Sequence, residues 1–546
     1  MEMRTDGLLV DDSVRILLPL NPSTDDVFLA RELSAELSDR FGVALRTDRV
    51  ARVPEFGKSI VLGTQLNPLV AQLASSRLTS GPLGAIRPEG YLLEVTKNVA
   101  WVAGCDRTGA FYGFQSLRQL IRRSEGGASI LGVEIHDWPH KPFRGIKLYL
   151  PGRDNIPFFK RFVRNFMALY KYNKLILETN AAMRLNRHPE LNAGWLDFSR
   201  NMIESRRDRP AGPHGEYMDS THYDTGDGKI LEQEEVADLV RWARQYRIDV
   251  IPEIPSLSHS YYLLTRHREL AEVPEAEWPD AYCPSNPGSY DLLFDVLDEY
   301  AEVIKPTLVH VGHDEWRIPS PTRCPRCAGR DARELFAADL GRIHAHMAKK
   351  NIGIAIWGDH LIEGVRGVEK SEPMQTRSGH VYRWPGALSP QQVSELIPKD
   401  IMIANWFWRP GKKGEGEPNE QQVENWGFRQ FFGNFSPSIT DWGRRSARPS
   451  VLGGAPSSWA ATTEFNFGKD LMYEFLGCAN LLWSSHWPTE SALQSMVQAM
   501  MPDVLVTGRI KVYHFGRIKM YHDWGGRKRG FRGLRASVMV GEEGGA

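Results

Sequence analysis

Two adjacent acids stand at the end of a short apolar run near the middle of the chain. Leu308 to Val311 is typical of a buried parallel strand, and after a glycine come His313, Asp314 and Glu315. In an α/β barrel the carboxyl ends of the strands form the mouth of the active site. One carboxyl group there can be kept protonated by its surroundings while its neighbour stays ionised. The pattern therefore favours acid–base chemistry by Asp314 and Glu315, and the alternative is a strand end with solvated charges.

A second group of residues has the chemistry of metal ligands. Cys324 and Cys327 form a Cys-x-x-Cys pair, which supplies two of the four ligands of a zinc site, and Cys283, His344 or His346 could complete it. The spacing does not require any of the three. A reduced structural pair is the simpler interpretation.

A metal-dependent hydrolase would use His310, His313 and Asp314 instead. The two histidines are three residues apart, on a strand and at its end, so their side chains need not converge. We therefore expect neither a bound metal nor a cofactor.

Composition narrows the class of protein. The 546 residues exceed one ordinary domain, and the formal net charge of zero argues against nucleic acid or an anionic membrane as partner. No run of about 18 apolar residues predicts a membrane span. The acid-containing start lacks the apolar core of a signal peptide. We expect a cytoplasmic protein, and the sequence does not predict its oligomeric state.

From residue 143 onward, predicted strands and helices alternate over about 350 residues, which is the pattern of a (β/α)₈ barrel. A doubly wound sheet is the alternative, but no Gly-rich phosphate-binding turn follows any strand. The eight predicted strands cover residues 144–150, 174–177, 248–254, 308–311, 352–357, 401–405, 428–432 and 451–454.

Three regions are predicted along the chain. Residues 1–140 form a small α+β domain, with a boundary at the prolines near 140, and residues 141–500 form the barrel. Residues 501–546 are a basic, Gly-rich tail to which we assign no function. The polar insertion between strands two and three, roughly residues 180–230, is expected to be functional, because long loops at a barrel mouth usually are.

Several motifs together resemble glycoside hydrolase family 20, the β-N-acetylhexosaminidases. His310–Glu315 resembles the family's His-x-Gly-Gly-Asp-Glu signature, and Phe143–Gly145 resembles its barrel-opening Tyr-Arg-Gly. Ile251–Ile254 resembles its Ile-Pro-Glu-Ile, and residues 110–120 resemble the small zincin-like domain that precedes its barrel. The matches occur in the family's order between roughly residues 50 and 485.

The resemblance implies removal of terminal β-linked N-acetylglucosamine or N-acetylgalactosamine from a small-molecule or oligosaccharide substrate, by a retaining, substrate-assisted mechanism. The sugar's 2-acetamido oxygen would attack the anomeric carbon, Asp314 would orient the acetamido group, and Glu315 would protonate the leaving oxygen and then activate water. The predicted substrate-binding residues are Arg144, His259, His313, Trp357, Trp406, Trp459 and Glu464.

The sequence also departs from the family pattern. His313 replaces the second glycine of the signature, and the family's strand-two His-x-His and Asp-Asp are absent from Ile176–Asn180. The relay behind His259 and the catalytic glutamate is therefore either incomplete or rebuilt from Glu178 or His313. A non-catalytic or altered-specificity carbohydrate-binding relative and a metal-dependent hydrolase are the alternative hypotheses.

Overall fold

The computed structural model of the chain describes residues 2–3, 6–77, 87–205, 222–276, 278–319, 324–375, 381–409, 416–486 and 489–505. The predicted tail beyond residue 505 lies outside the described residues. None of the described helices combines the length and the apolar character needed to cross a membrane.

The described residues of the N-terminal part of the chain form two sheets and three α-helices. Its strands are β1 (Glu2–Met3), β2 (Leu8–Val10), β3 (Val14–Pro19), β4 (Arg46–Val50), β5 (Lys58–Thr64), β6 (Tyr91–Val95), β7 (Val99–Gly104), β8 (Ile121–Ser124), β9 (Gly127–Ile130) and β10 (Val133–Asp137). Its helices are α1 (Thr24–Phe41), α2 (Pro68–Arg77) and α3 (Arg107–Leu120). The larger sheet has the order β1-β10-β6-β7-β5-β3-β4, and β2-β9-β8 form the smaller one. Helix α1 begins with a capping box between Ser23 and Asp26.

Eight strands of the second part close into a parallel barrel, which confirms the predicted (β/α)₈ fold. The strands from residue 143 onward are β11 (Phe143–Tyr149), β12 (Lys174–Glu178), β13 (Asp249–Ser256), β14 (Leu308–Gly312), β15 (Ile318–Pro319), β16 (Gly353–Trp357), β17 (Met374–Gln375), β18 (Val381–Arg383), β19 (Met402–Asn405), β20 (Gln430–Gly433) and β21 (Val451–Ala455). Strands β15, β18 and β17 form a separate small sheet, and the other eight form the barrel in chain order.

The helices of this part follow the barrel strands. They are α4 (Ile156–Phe162), α5 (Pro189–Ser205), α6 (Gln233–Gln245), α7 (Tyr261–Leu264), α8 (Pro287–Ile304), α9 (Ala332–Ala348), α10 (Glu363–Arg366), α11 (Pro390–Leu396), α12 (Glu417–Asn425), α13 (Trp442–Ser446), α14 (Lys469–Ser484) and α15 (Glu490–Val504). The apolar spacing of residues 158–172 predicts a single amphipathic helix. Instead, α4 ends at Phe162 and a π-helical turn follows at Val163–Met167, where the Phe162 ring stacks on Phe166.

Strand alternation decides which side chains enter the barrel. Phe143 stacks on Phe431 at the amino end of the interior, with ring centroids 4.4 Å apart. Since side chains alternate along a strand, Lys147 and Tyr149 also point inward from β11. The parallel register places four residues at one level near the carboxyl ends of the strands: Tyr149, Glu178, Glu253 and His310. The polar floor of the barrel mouth is built at this level.

Candidate functional site

The chain turns sharply where β14 ends, and this turn presents the acid pair. Gly312, His313 and Glu315 have positive φ angles of 69°, 68° and 53°. A Cβ atom at Gly312 would lie 3.1 Å from the Cα atom of Pro255 on β13, so the two strands approach too closely there for an ordinary side chain. Left-handed conformations at residues other than glycine are uncommon and cluster at functional sites.

Hydrogen bonds from neighbouring loops hold the turn in place. The Glu315 backbone N–H donates to Asp359 Oδ2 at 3.0 Å, and the Ser258 hydroxyl donates to the backbone carbonyl of Asp314. Asp359 follows β16 and Ser258 follows β13, so the acid pair is fixed from both flanking strands.

His259 lies at the centre of three carboxylates. Its Nε2 atom is 3.6 Å from Asp314 Oδ2 and 3.7 Å from Glu315 Oε2, and its Nδ1 atom is 3.7 Å from Asp280 Oδ1. The His259 backbone N–H donates to the same Asp280 oxygen at 2.9 Å. Burial alone would lower the pKa of His259, but the charge of Asp314 and then that of Asp280 raise it to about 10. The ring is therefore an imidazolium at neutral pH.

The two adjacent acids are in different protonation states. Burial disfavours the ionised form of both. At Asp314 the His259 imidazolium outweighs burial and holds the pKa well below its usual range. At Glu315 burial dominates, the Asp314 charge adds to it, and the pKa rises to about 7. One carboxylate is therefore ionised beside one that carries a proton near neutral pH, which is the arrangement acid–base catalysis requires.

A buried glutamate and histidine stand behind His259. Glu178 accepts hydrogen bonds from Lys147 Nζ at 2.6 Å and Asn180 Nδ2 at 2.8 Å, and it contacts His222 Nδ1. The His222 ring stacks on His259, with centroids 4.6 Å apart. Burial would raise the pKa of Glu178, but His222 and then Lys147 lower it to about 2. Of the two supports that the sequence offered for this relay, Glu178 is therefore in place.

The sequence analysis did not identify His222, Lys147 or Asp280. His222 begins a 3₁₀ turn, His222–Gly228, at the far end of the long insertion after β12. The length and polarity of that insertion were the only signal, and they predict a functional loop without indicating which residue acts. Lys147 is a charged residue within an otherwise apolar strand, a pattern that does not indicate a role.

Three predicted tryptophans form one wall of the site. Trp357 ends β16, and its ring lies 6.5 Å from that of Trp406 and 6.0 Å from that of Trp459. Trp357 Nε1 donates to Glu253 Oε1 at 2.8 Å, and Lys147 Nζ lies 3.5 Å from the Trp459 ring centroid. The structure thus brings together the aromatic residues predicted from three separate strand ends.

Glu253 and His310 complete the floor as neutral groups near pH 7. Burial raises the pKa of Glu253 to about 8 and lowers that of His310 to about 3. The His310 Nδ1 atom lies 3.6 Å from Glu253 Oε1. The fixed charges on the floor are therefore those of the Lys147–Glu178 pair.

The structure places His313 away from the acid pair, which argues against its predicted role in substrate binding. Its ring is buried outside the barrel wall, with Nε2 2.8 Å from Asp339 Oδ2 on α9 and Nδ1 3.1 Å from the Val311 carbonyl oxygen. The left-handed backbone at position 313 turns the side chain away from the acid pair. His310 faces the barrel interior, so the two histidines do not converge on Asp314 as the metal-dependent alternative requires.

Strand alternation also argues against the predicted role of Arg144 in substrate binding. Phe143 faces the interior at the amino end of β11, so Arg144 faces outward at the end opposite to the site. Its guanidinium donates to Glu89 Oε2 at 2.7 Å, to the Tyr112 hydroxyl at 2.8 Å, and to the backbone carbonyls of Lys141 and Lys171. Arg144 therefore joins the barrel to the N-terminal domain.

Glu464 lies in a 3₁₀ turn after β21, and its carboxylate pairs with Arg161 of α4 at 3.1 Å. This pair joins the loop to the outer ring of helices. A substrate contact by Glu464 stays a prediction.

The site thus joins a barrel mouth, an ionised carboxylate and a proton-bearing carboxyl group, an arrangement suited to acid–base chemistry. Residues 152–497 match the catalytic domain of glycosyl hydrolase family 20, and residues 1–138 match domain 2 of the same family. The catalytic-domain match covers most of the chain, so the chain belongs to glycosyl hydrolase family 20, and the resemblance noted in the sequence is confirmed.

Individual relatives are distant. A β-hexosaminidase of Porphyromonas gingivalis is 27% identical over 51% of this chain and 36% of its own length. A β-hexosaminidase of Akkermansia muciniphila is 27% identical over 58% of this chain and 63% of its own length. The chain thus spans less than two thirds of either relative.

One solved structure extends the comparison of the fold. An exo-β-N-acetylglucosaminidase of Vibrio harveyi in complex with N-acetylglucosamine superposes with a TM-score of 0.62 at 16% identity. The superposition covers 92% of this chain and 76% of that one.

Proposed function

We propose that this protein removes terminal β-linked N-acetylhexosamine from an oligosaccharide or glycoconjugate, with the substrate's own acetamido group as nucleophile. The observation that carries the proposal is the opposite protonation of Asp314 and Glu315 around the His259 imidazolium. The names of the relatives support the same substrate class, since the two curated relatives are β-hexosaminidases.

Each acid has a separate role in the proposed reaction. The acetamido oxygen bonds to the anomeric carbon, and the leaving alcohol oxygen takes the proton of Glu315 as the glycosidic bond breaks. Asp314 stays ionised, accepts the acetamido N–H and stabilises the positive charge of the oxazolinium ion. Glu315 then takes a proton from the water that attacks the same carbon, and the acetamido group is restored. Two displacements at one carbon retain its configuration.

The surroundings suit this sequence of steps. Trp357, Trp406 and Trp459 offer aromatic faces to the apolar face of a sugar and to the acetamido methyl group. The contact between Glu178 and His222 places an acid behind His259 despite the missing strand-two motif. That contact removes the main argument for the non-catalytic alternative.

A comparison of substrates at C2 tests the proposal. The 4-nitrophenyl β-glycoside of N-acetylglucosamine should be hydrolysed, and the matching β-glucoside, which has a 2-hydroxyl group, should be nearly inert. A thiazoline mimic of the cyclic intermediate should inhibit more tightly than N-acetylglucosamine, because catalysis depends on tighter binding of the transition state and its near relatives. Asp314→Asn should lower turnover with little change in KM.

Two results would contradict the mechanism. One is rapid turnover of the β-glucoside. The other is a covalent sugar trapped on Asp314 or Glu315, since neither carboxylate bonds to sugar in the proposed steps.

A further inference from the structure

Four buried side chains with metal-ligating atoms converge about one point beside the catalytic loops. The Sγ atom of Cys283 lies 3.2 Å from that of Cys324 and 3.5 Å from that of Cys327, and Cys327 Sγ lies 2.8 Å from Glu272 Oε1. One ligand atom from each of the four residues lies within 4.8 Å of all the others. These four residues are called the thiolate cluster below.

The sulfur–sulfur distances are too long for a disulfide bond and suit ligands that converge on one metal ion. A disulfide requires about 2.05 Å between sulfur atoms. Four ligands placed tetrahedrally about 2.3 Å from a zinc ion lie about 3.8 Å apart, so the sulfur–sulfur distances of 3.2 and 3.5 Å would lengthen slightly, and the 2.8 Å contact of Cys327 with Glu272 by about 1 Å, when the ion binds. Thiolate sulfur and carboxylate oxygen are both zinc ligands, and four protein ligands leave no position for substrate, as in a structural zinc site. We propose that the thiolate cluster binds one structural Zn²⁺ ion.

The backbone preorganises both halves of the cluster. Glu272 and Cys283 flank an antiparallel bridge between Ala271 and Tyr282, in which the Glu272 N–H donates to the Ala281 carbonyl and the Cys283 N–H to the Leu270 carbonyl. Cys324 and Cys327 lie in a turn closed by the Cys327 N–H, which donates to the Cys324 carbonyl at 3.2 Å.

A second layer of polar groups supports the charge that the cluster would carry. Three thiolates and a carboxylate exceed the charge of Zn²⁺ by two negative units. Ser285 Oγ lies 3.3 Å from Cys327 Sγ and accepts a hydrogen bond from Arg330 Nη1 at 2.8 Å. Supporting contacts of this kind orient and tune metal ligands.

The histidines that the sequence offered as further ligands are engaged elsewhere. His344 Nε2 lies 2.9 Å from Asp400, and His346 Nε2 lies 2.6 Å from Asp298. The sequence alone favoured a reduced pair of cysteines. The structure brings Glu272 and Cys283 to that pair, and the four residues together favour a metal site.

The position of the cluster gives it a structural purpose. Glu272 and Cys283 belong to the segment after β13, which also carries His259 and Asp280. Cys324 and Cys327 follow Glu315 on the segment after β14. A metal held by both segments would fix the imidazolium relative to the acid pair.

Metal analysis of the purified full-length protein tests the proposal without any substrate. We expect about one zinc per chain, and release of that zinc when a mercurial reagent blocks the thiols. Cobalt substituted for zinc should give the visible bands of tetrahedral coordination and near-ultraviolet thiolate-to-metal charge transfer. Cys327→Ser should bind substoichiometric zinc, whereas Cys105→Ser, the matched control outside the cluster, should keep one equivalent.

Two results would overturn the proposal. One is a protein that holds no zinc after incubation with Zn²⁺ under reducing conditions. The other is a Cys283–Cys324 disulfide in the freshly purified protein. The cobalt spectrum is measured on the unchanged sequence, so it decides the matter even where a cysteine variant does not fold. A chain that binds zinc but cleaves no hexosaminide would leave this inference intact and contradict only the proposed activity.

Discussion

The charge of His259 lowers the pKa of both neighbouring acids, but it has a different consequence for each of them. It keeps Asp314 ionised, and it limits how far burial raises the pKa of Glu315. Were the ring neutral, both carboxyl groups would bind protons more tightly, and the difference between them would shrink. A single imidazolium therefore separates two residues of nearly identical chemistry.

The pH profile should show this coupling. Glu315 must carry its proton to act as an acid, and its pKa is about 7, so kcat/KM should fall as the pH rises through that value. Replacing His259 with Asn removes a charge that lowers the pKa of Glu315. The alkaline limb of the profile should then move to higher pH, and the acidic limb, set by Asp314, should also move up. An alkaline limb at the same pH in both proteins would contradict this role of His259.

Glu315 itself is tested by leaving-group dependence. Glu315→Gln should lower kcat on the order of 100-fold or more with an oligosaccharide leaving group, because the amide cannot donate the proton. Aryl leaving groups need little protonation, so the first step should suffer less with them. Glu302→Gln on the surface of α8, which pairs with Arg187, is the matched control. Equal losses for poor and good leaving groups would remove Glu315 from the role of acid.

At the scale of elements, the turn after β14 is held in place by a residue of α9. Asp339 accepts hydrogen bonds from the Tyr282 hydroxyl at 3.0 Å and the Tyr290 hydroxyl at 2.7 Å, and it pairs with His313. The histidine that interrupts the family signature is therefore part of a buried polar network. Networks of this kind are costly to leave partly satisfied.

His313→Ala should lower stability rather than substrate affinity. Removing the ring leaves the buried Asp339 without one of its hydrogen-bond partners, which typically costs about 1–3 kcal/mol, and the unfolding midpoint in urea should fall accordingly. KM should change little, because the ring faces away from the acid pair. The control His344→Ala, whose Asp400 partner is exposed, should change stability by less than about 0.5 kcal/mol. A large rise in KM with unchanged stability would restore the substrate-binding interpretation.

The elements themselves were predictable where the sequence had a strong period. Each of the eight predicted barrel strands overlaps an observed one, because apolar runs such as Leu308–Val311 alternate with amphipathic helices. The π-helical turn after Phe162 has no periodic signature of its own. His222 was not predicted because no motif marks it in the sequence. Only the folded structure brings its loop to the site.

At the scale of the whole molecule, the two domains share a buried guanidinium. Arg144 is 1% exposed and lies 5.2 Å from the ring centroids of both Tyr112 on α3 and Trp483 on α14. It also bonds Glu89 of the N-terminal domain. The sequence showed that Arg144 matches the arginine of a family motif. The direction of its side chain follows only from the alternation of side chains along β11.

Arg144→Ala should therefore weaken the whole structure and leave substrate binding unchanged. We expect a loss of roughly 3–5 kcal/mol in the free energy of unfolding, because the Glu89 carboxylate and two backbone carbonyls lose their donor. Arg153→Ala, which removes an exposed ion pair with Glu235, should cost less than about 1 kcal/mol. Thermal unfolding and KM, measured on both variants, check this. An increase in KM without loss of stability would contradict the domain-interface role.

The left-handed backbone at His259, His313 and Glu315 also limits which substitutions these three positions tolerate. A β-branched residue is strongly disfavoured at such φ angles, whereas glycine and asparagine adopt them at low cost. In a saturation library, each of these positions should therefore be depleted of valine, isoleucine and threonine beyond what loss of side-chain chemistry explains. At position 313, where no catalytic chemistry is needed, the tolerated substitutions would be set by backbone conformation and by the reach to Asp339.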